Sequence, residues 1–213
     1  MTSILPALTP FRFSSAVLLA ASLLLGGCSS MAPPADTPGA DSSAARNYRQ
    51  TIEIAGRLSV QYRQNGNDES LHGSFTWQQN GERSNVTLLS PLGQIIATIA
   101  VEPGGATLTE SGKAPRSAGD VDALVAQTLG WPLPIAGLRQ WLQGFATDAN
   151  GNAFVANGDG STVTTQDGWQ IRYANWQRSE GGDTYARRID LARHTVQAGK
   201  VEIRIVIDNW QPR

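Results

Sequence analysis

Between Val86 and Val101 the chain reads VTLLSPLGQIIATIAV, a pattern that fits two β-strands folded back on each other and little else. The joint is Ser90-Pro91-Leu92-Gly93, where Pro presets the φ of the second turn position and Gly suits the fourth, the order of a type I turn. A type II turn would want Gly or Asn where Leu92 stands, so this turn carries a leucine at its tip. Apolar doublets flank it, Leu88-Leu89 before and Ile95-Ile96 after, and the hairpin therefore lacks the alternating polar face of an ordinary surface hairpin. Leu92 either folds back on a neighbouring loop or stands out on an apolar tip, and such a tip marks a membrane or partner contact.

The strands around the hairpin follow from alternation. Ile52, Ile54, Leu58, Val60 and Tyr62 share one face of residues 51–62, and Thr51, Glu53, Arg57, Ser59 and Gln61 share the other, which predicts a half-buried antiparallel strand. After a turn at Asn65-Gly66-Asn67, Leu71, Phe75 and Trp77 alternate with His72, Ser74, Thr76 and Gln78 to give a second. A short strand at 106–109 follows the turn Pro103-Gly104-Gly105. The period then changes. Val121, Leu124, Val125, Thr128 and Leu129 predict a helix, with Ser117 or Asp120 to cap it and Gly130 to stop it. Ile135, Leu138, Trp141 and Leu142 predict another, from Pro134 towards Gly144. Strands resume weakly at 153–156 and 162–165, then clearly at Trp169-Ile171-Tyr173, Ile189-Leu191 and Val201 to Ile207.

This order predicts a mainly β fold, about ten strands in one antiparallel sheet curled into a barrel or open half-barrel, with two short helices to cover its interior. Its interior is either a fully packed core or an apolar cavity. The candidate lining of such a cavity is Leu58, Val60, Phe75, Trp77, Leu124, Leu138, Trp141, Trp169, Ile171, Ile203 and Ile205. Composition favours the packed core, while six tryptophans suit an acyl-chain site as well as a core.

Residues 1–27 hold Arg12, an apolar run from Phe13 to Leu25 and then Gly26-Gly27, the layout of a cleaved secretory signal rather than of a spanning helix. Cys28 follows directly and is the sole cysteine, so no disulfide forms within the chain, and a thiol at that boundary points to a lipid anchor. Residues 29–46 are rich in Ser, Ala, Pro and Asp and poor in bulky apolar side chains, which predicts a flexible tether from Cys28 to a folded domain at 47–213. Lys and Arg number 17 against 18 Asp and Glu, and loss of the signal removes Arg12 and no acid. A basic stripe for nucleic acid is absent.

Patterns for covalent chemistry are also missing. The two histidines, His72 and His194, have no metal-ligand spacing to another His, Cys or carboxylate, and His72 falls on the polar face of its strand. No serine sits in a nucleophile elbow, and Gly104-Gly105 and Gly181-Gly182 lack the Lys or helix start of a phosphate loop. Asp148, Asp159 and Asp167 are scattered in turns. The expectation is a protein that is no enzyme and carries no metal or cofactor.

Several of these pieces together resemble the LolB family of outer-membrane lipoprotein receptors: Gly56-Arg57-Leu58-Ser59-Val60, the segment from Gly73 to Gln79, Leu88 to Gln94 with Pro91-Leu92-Gly93, Pro132 to Gly144, and Asp208-Asn209-Trp210, all behind Leu25-Gly26-Gly27-Cys28. The last four residues resemble a lipobox, which implies that Cys28 is lipidated and acylated after cleavage. Ser29 in place of the inner-membrane retention aspartate implies the outer membrane. The resemblance implies an open, half-closed antiparallel β-barrel, its concave apolar cavity covered by short helices, that takes lipoproteins from a LolA-type periplasmic carrier, holds their acyl chains in that cavity, and releases them into outer-membrane phospholipid without a nucleotide. It also implies that Pro91-Leu92-Gly93 is the loop that assists membrane insertion. The expected partners are that carrier, the client lipoproteins and the bilayer, with the receptor a monomer. Two other classes stay open from the residues: a structural or assembly lipoprotein with a filled β core that binds protein through the hairpin, and an envelope hydrolase, which would need a polar cluster in a cleft.

Overall fold

The computed structural model describes residues 46–64, 66–196 and 198–213; the signal, Cys28 and the tether through residue 45 lie outside the described residues. Strands β1 (Thr51–Gln64), β2 (Asn67–Asn80), β3 (Arg83–Leu89), β4 (Ile95–Glu102), β5 (Gly105–Glu110) and β6 (Arg116–Ala118) form a continuous antiparallel meander. Helices α1 (Val121–Leu129) and α2 (Ile135–Trp141) follow, then β7 (Phe145–Thr147) and β8 (Ala153–Val155), which pair only with each other. A second meander, β9 (Thr162–Thr164), β10 (Gln170–Arg178), β11 (Thr184–Thr195) and β12 (Gly199–Pro212), returns the chain to β1. The main sheet has ten strands in the order β6-β5-β4-β3-β2-β1-β12-β11-β10-β9, and its end strands do not pair with each other. It is an open antiparallel half-barrel.

The two alternations expected for β1 and β2 place their apolar residues on the inner face. Ile52, Ile54, Leu58, Val60, Phe75 and Trp77 are all buried there. Between Ala55 and Gly56 the β1–β12 register slips, leaving Asp208 as the extra residue of a bulge. Arg57 donates to both Asp208 oxygens at 2.8 Å and holds that carboxyl below the usual carboxylate range. Gly56 is needed at the slip, since a Cβ there would lie 2.3 Å from the Val206 carbonyl oxygen and 2.9 Å from the Phe75 ring.

The helix between the meanders begins at Asp120, whose carboxylate accepts from the Ala123 N–H at 3.0 Å, and ends at Gly130 with φ of 79°. Ser117, the other candidate cap, belongs to β6, where its hydroxyl lies 2.9 Å from that of Thr107. Asp120→Ala should cost about 1 kcal/mol of stability, read as a lower urea midpoint. An unchanged midpoint would remove the cap from the forces that hold α1. Strands β6 and β7 carry no alternation signal at three residues each and were not expected from the sequence.

Candidate functional site

Turn chemistry at the central hairpin has the expected outcome. The Gly93 N–H donates to the Ser90 carbonyl at 2.9 Å, Gly93 has φ of 78°, and Leu92 is not among the described residues of positive φ, as a type I turn requires. Ser90 closes the loop on both sides, its N–H donating to the Gln94 carbonyl and its Oγ accepting from the Gln94 N–H. The rigid turn holds Leu92 out at 87 % exposure, which rules out the folded-back alternative. Ile95 beside it is 53 % exposed and pairs with half-buried Leu89 across the hairpin. An apolar tip with no covering residue is therefore present.

Inside the half-barrel every proposed lining residue is buried: Leu58, Val60, Phe75, Trp77, Leu124, Leu138, Trp141, Trp169, Ile171, Ile203 and Ile205. Six of them, Leu58, Phe75, Trp77, Leu138, Ile203 and Ile205, surround one interior gap, together with Val86, Leu88, Leu133, Ile135 and Leu142. That gap holds only about 20 Å³, room for about one water, whereas ligand pockets run from roughly 300 Å³ upward. The other five belong to the same core away from the gap, with Trp141 and Trp169 packed ring against ring at 6.4 Å. Helix α2 fills the space. Its Leu138 and Trp141 point inward, and Trp141 lies across Gly137, where a Cβ would meet the indole at 2.3 Å.

A second gap, about 190 Å³, opens at the rim beside the hairpin. Leu58 and Leu88 border both gaps, and the rim gap adds Leu71, Leu89, Ile96, Leu129 and Trp131, with Ser74, Glu110 and Thr128 as its polar margin. These rim residues went unrecognised as a set in the sequence; the apolar doublets at 88–89 and 95–96 were the signal that carried two of them.

The far end of the barrel is closed by polar groups. Arg139 donates through Nη2 to the Gly81 carbonyl, the Tyr48 hydroxyl donates to the Arg139 carbonyl at 3.4 Å, and Gln79 donates to the Tyr48 oxygen at 2.7 Å. Gln143, itself buried, accepts from the Arg49 N–H at 2.8 Å and donates to the Arg49 carbonyl at 3.1 Å. Next to this network the Arg46 guanidinium lies 4.0 Å over the Trp176 ring, and burial lowers its pKa. Burial also pushes the Tyr173 phenol up, so it stays neutral. At the other end of α2 the ties are fewer: Pro134 gives no side-chain cap, and the Ala136 N–H donates to the Asp122 carboxylate of α1 at 3.0 Å. Desolvation raises the pKa of that carboxyl.

A wider trough of about 600 Å³ lies on the polar face of the sheet, between Arg172, Arg188, Asp190, Glu202 and Arg204. Asp190 is ion-paired there with Arg188 and Arg204 at 2.8 Å each, so the trough suits charge and not hydrocarbon. Among the described residues no three His, Cys, Asp or Glu gather as a metal site, and His72 and His194 are exposed on their strands. What the arrangement offers is apolar surface in two connected places, the interior and the hairpin tip.

A family model described as outer membrane lipoprotein LolB matches residues 50–210. An outer-membrane lipoprotein LolB of Cupriavidus pinatubonensis is 37% identical over 209 residues, 96% of this chain and 98% of its own. That of Thiobacillus denitrificans is 39% identical over 198 residues, covering 92% and 96%. Among solved structures, a LolA superfamily protein from Nitrosomonas europaea covers 79% of this chain and 88% of its own at 11% identity and a TM-score of 0.45, too distant to argue from.

Proposed function

The chain belongs to the LolB family of outer-membrane lipoproteins, and on that premise we propose that it is a receptor, anchored through Cys28 and facing the periplasm. It accepts lipoproteins from a LolA-type carrier, shelters their acyl chains among the inner residues of the half-barrel, and inserts them into the inner leaflet of the outer membrane. The observation that carries this reading is Leu92, 87 % exposed on a hydrogen-bonded turn whose flanking residues Leu89 and Ile96 border the apolar rim gap. A leucine held in water on a folded domain has its free-energy gain waiting in a membrane.

A gap of about 20 Å³ cannot take an acyl chain, so α2 must yield when one enters. The closed empty state then lowers the apparent affinity by the fraction of molecules that open, which suits a receptor that must release its cargo. Such release runs downhill if the bilayer binds the chains better still. The packed interior also favours a second reading, a structural lipoprotein with a filled core that docks protein through the hairpin.

Fatty acid binding separates the two. We expect palmitate, added to the lipidated full chain in nanodiscs, to shift the tryptophan emission, because Trp77 and Trp169 are buried in the core that must open. Protein-free nanodiscs and a Leu92→Glu protein serve as controls for contact at the tip alone. An emission spectrum that stays put at saturating palmitate would leave the filled-core reading in possession.

A further inference from the structure

We propose that acyl chains enter and leave at the hairpin end of the half-barrel, through the gap between Leu71, Leu89, Ile96, Leu129 and Trp131, with α2 swinging about its far end. This rests on the acyl-binding function proposed above and adds its route and its moving part. Two gaps lie in line, the rim gap of about 190 Å³ and the interior gap of about 20 Å³, with Leu58 and Leu88 as shared walls. Leu71, Leu89, Ile96 and Leu129 are each only half-buried, so the line begins at the surface. It ends where Leu133, Ile135 and Leu138 fill the barrel.

The ends of α2 differ in how they are held. Its C-terminal end is tied to the segment that leads into β1 and to the β2–β3 turn through Arg139 and Gln143, which bond Tyr48, Arg49 and Gly81, and those bonds are partly buried. Its N-terminal end joins α1 through one carboxylate, that of Asp122, which accepts from the Ala136 N–H at 3.0 Å and also interacts with the Ile135 N–H, after a connector that starts at left-handed Gly130. A chain that wedges in beneath Trp131 and Leu133 therefore lifts the loosely held end and leaves the tied one in place. Ser74, Thr128 and Glu110, the last ion-paired with Lys113 at 2.9 Å, give the mouth a polar margin for the head that stays outside. Leu89 and Ile96 border the mouth and also flank the turn that displays Leu92, so a chain that backs out emerges beside the residue that meets the bilayer. Cargo never has to cross water.

Photocrosslinking with two palmitate probes reads the route directly. One carries a diazirine next to the carboxyl group and the other at the methyl end, and each is applied to the lipidated full chain in nanodiscs. The carboxyl-end probe should label 71, 89, 96, 129 and 131, and the methyl-end probe should label 138, 142 and 205. Ile96→Trp, which overfills the mouth, should reduce interior labelling after a brief exposure by about tenfold. Carboxyl-end labelling at 48–49 and 139–143 would place the entrance at the tied end and overturn the route while the acyl-binding function stands. Undiminished labelling of a folded Ile96→Trp protein would overturn it too. With no label anywhere inside the domain, acyl binding itself falls, and the route with it.

Discussion

A Leu92→Glu protein should fold, accept lipoprotein from the carrier at the normal rate, and deliver it to membrane about ten to a hundred times more slowly. The tip makes few folded contacts, since Leu92 is 87 % exposed and its turn is closed by main-chain bonds and the Ser90 hydroxyl. Stability should therefore change by only about 0.5 kcal/mol. Leucine entering the acyl region gains roughly 1.5 to 3 kcal/mol, which is the origin of the rate factor, and glutamate forfeits that gain and resists desolvation besides. Cargo should accumulate on the receptor. The measurement loads the variant from a LolA-type carrier, adds outer-membrane vesicles, and counts bound and delivered lipoprotein separately. Delivery at the wild-type rate by a normally folded variant would reduce the tip to a turn.

The largest expected loss of stability comes from a single methyl group on β1. Gly56→Ala should cost about 2 to 4 kcal/mol, because its Cβ would sit 2.3 Å from the Val206 carbonyl oxygen with the Phe75 ring 2.9 Å away. Neither neighbour yields cheaply: one is backbone in the adjacent central strand and the other is a buried core ring. Gly93→Ala provides the contrast. That position has φ of 78° and open space around it, so alanine there meets strain without a clash and should cost about 1 kcal/mol. Urea unfolding of both variants separates contact from conformation. Equal midpoints for the two would mean that β12 can move away from the bulge and that the close approach is not what requires glycine.

How far the sequence discloses this molecule depends on which force shaped each part. Alternation at 51–62 and 71–78 reports burial on one face, and burial is what a strand pattern encodes, so the central strands were legible. The type I turn was legible because proline and glycine fix backbone angles locally. Closure of the interior was not, since residual volume depends on how Leu133, Leu138 and Leu142 interlock with residues far away in the chain. The polar seal at the tied end was missed for a different reason. Tyr48, Gln79 and Gln143 read as surface residues until their hydrogen bonds are seen, although Gln79 continues the inward parity of Phe75 and Trp77, where a glutamine needs a partner. The connector Trp131-Pro132-Leu133-Pro134 has no period at all, and it supplies two walls of the gaps.

The seat of Arg46 on Trp176 has a mechanical meaning for an anchored protein. Arg46 sits at the sealed end, while Leu92 lies beyond the opposite end of β3, seven residues or about 23 Å of strand away. Seventeen residues lie between Cys28 and Arg46, and a fully extended chain of that length spans about 60 Å. Under the proposed anchoring at Cys28, that length would suffice for the body to turn over and present its leucine to the bilayer that holds the lipid. A leash cut to six residues, about 20 Å at full stretch, would fall short and leave the tip facing away. In the function proposed here, the lipid would choose the membrane and the leucine would choose which end of the body is turned towards it.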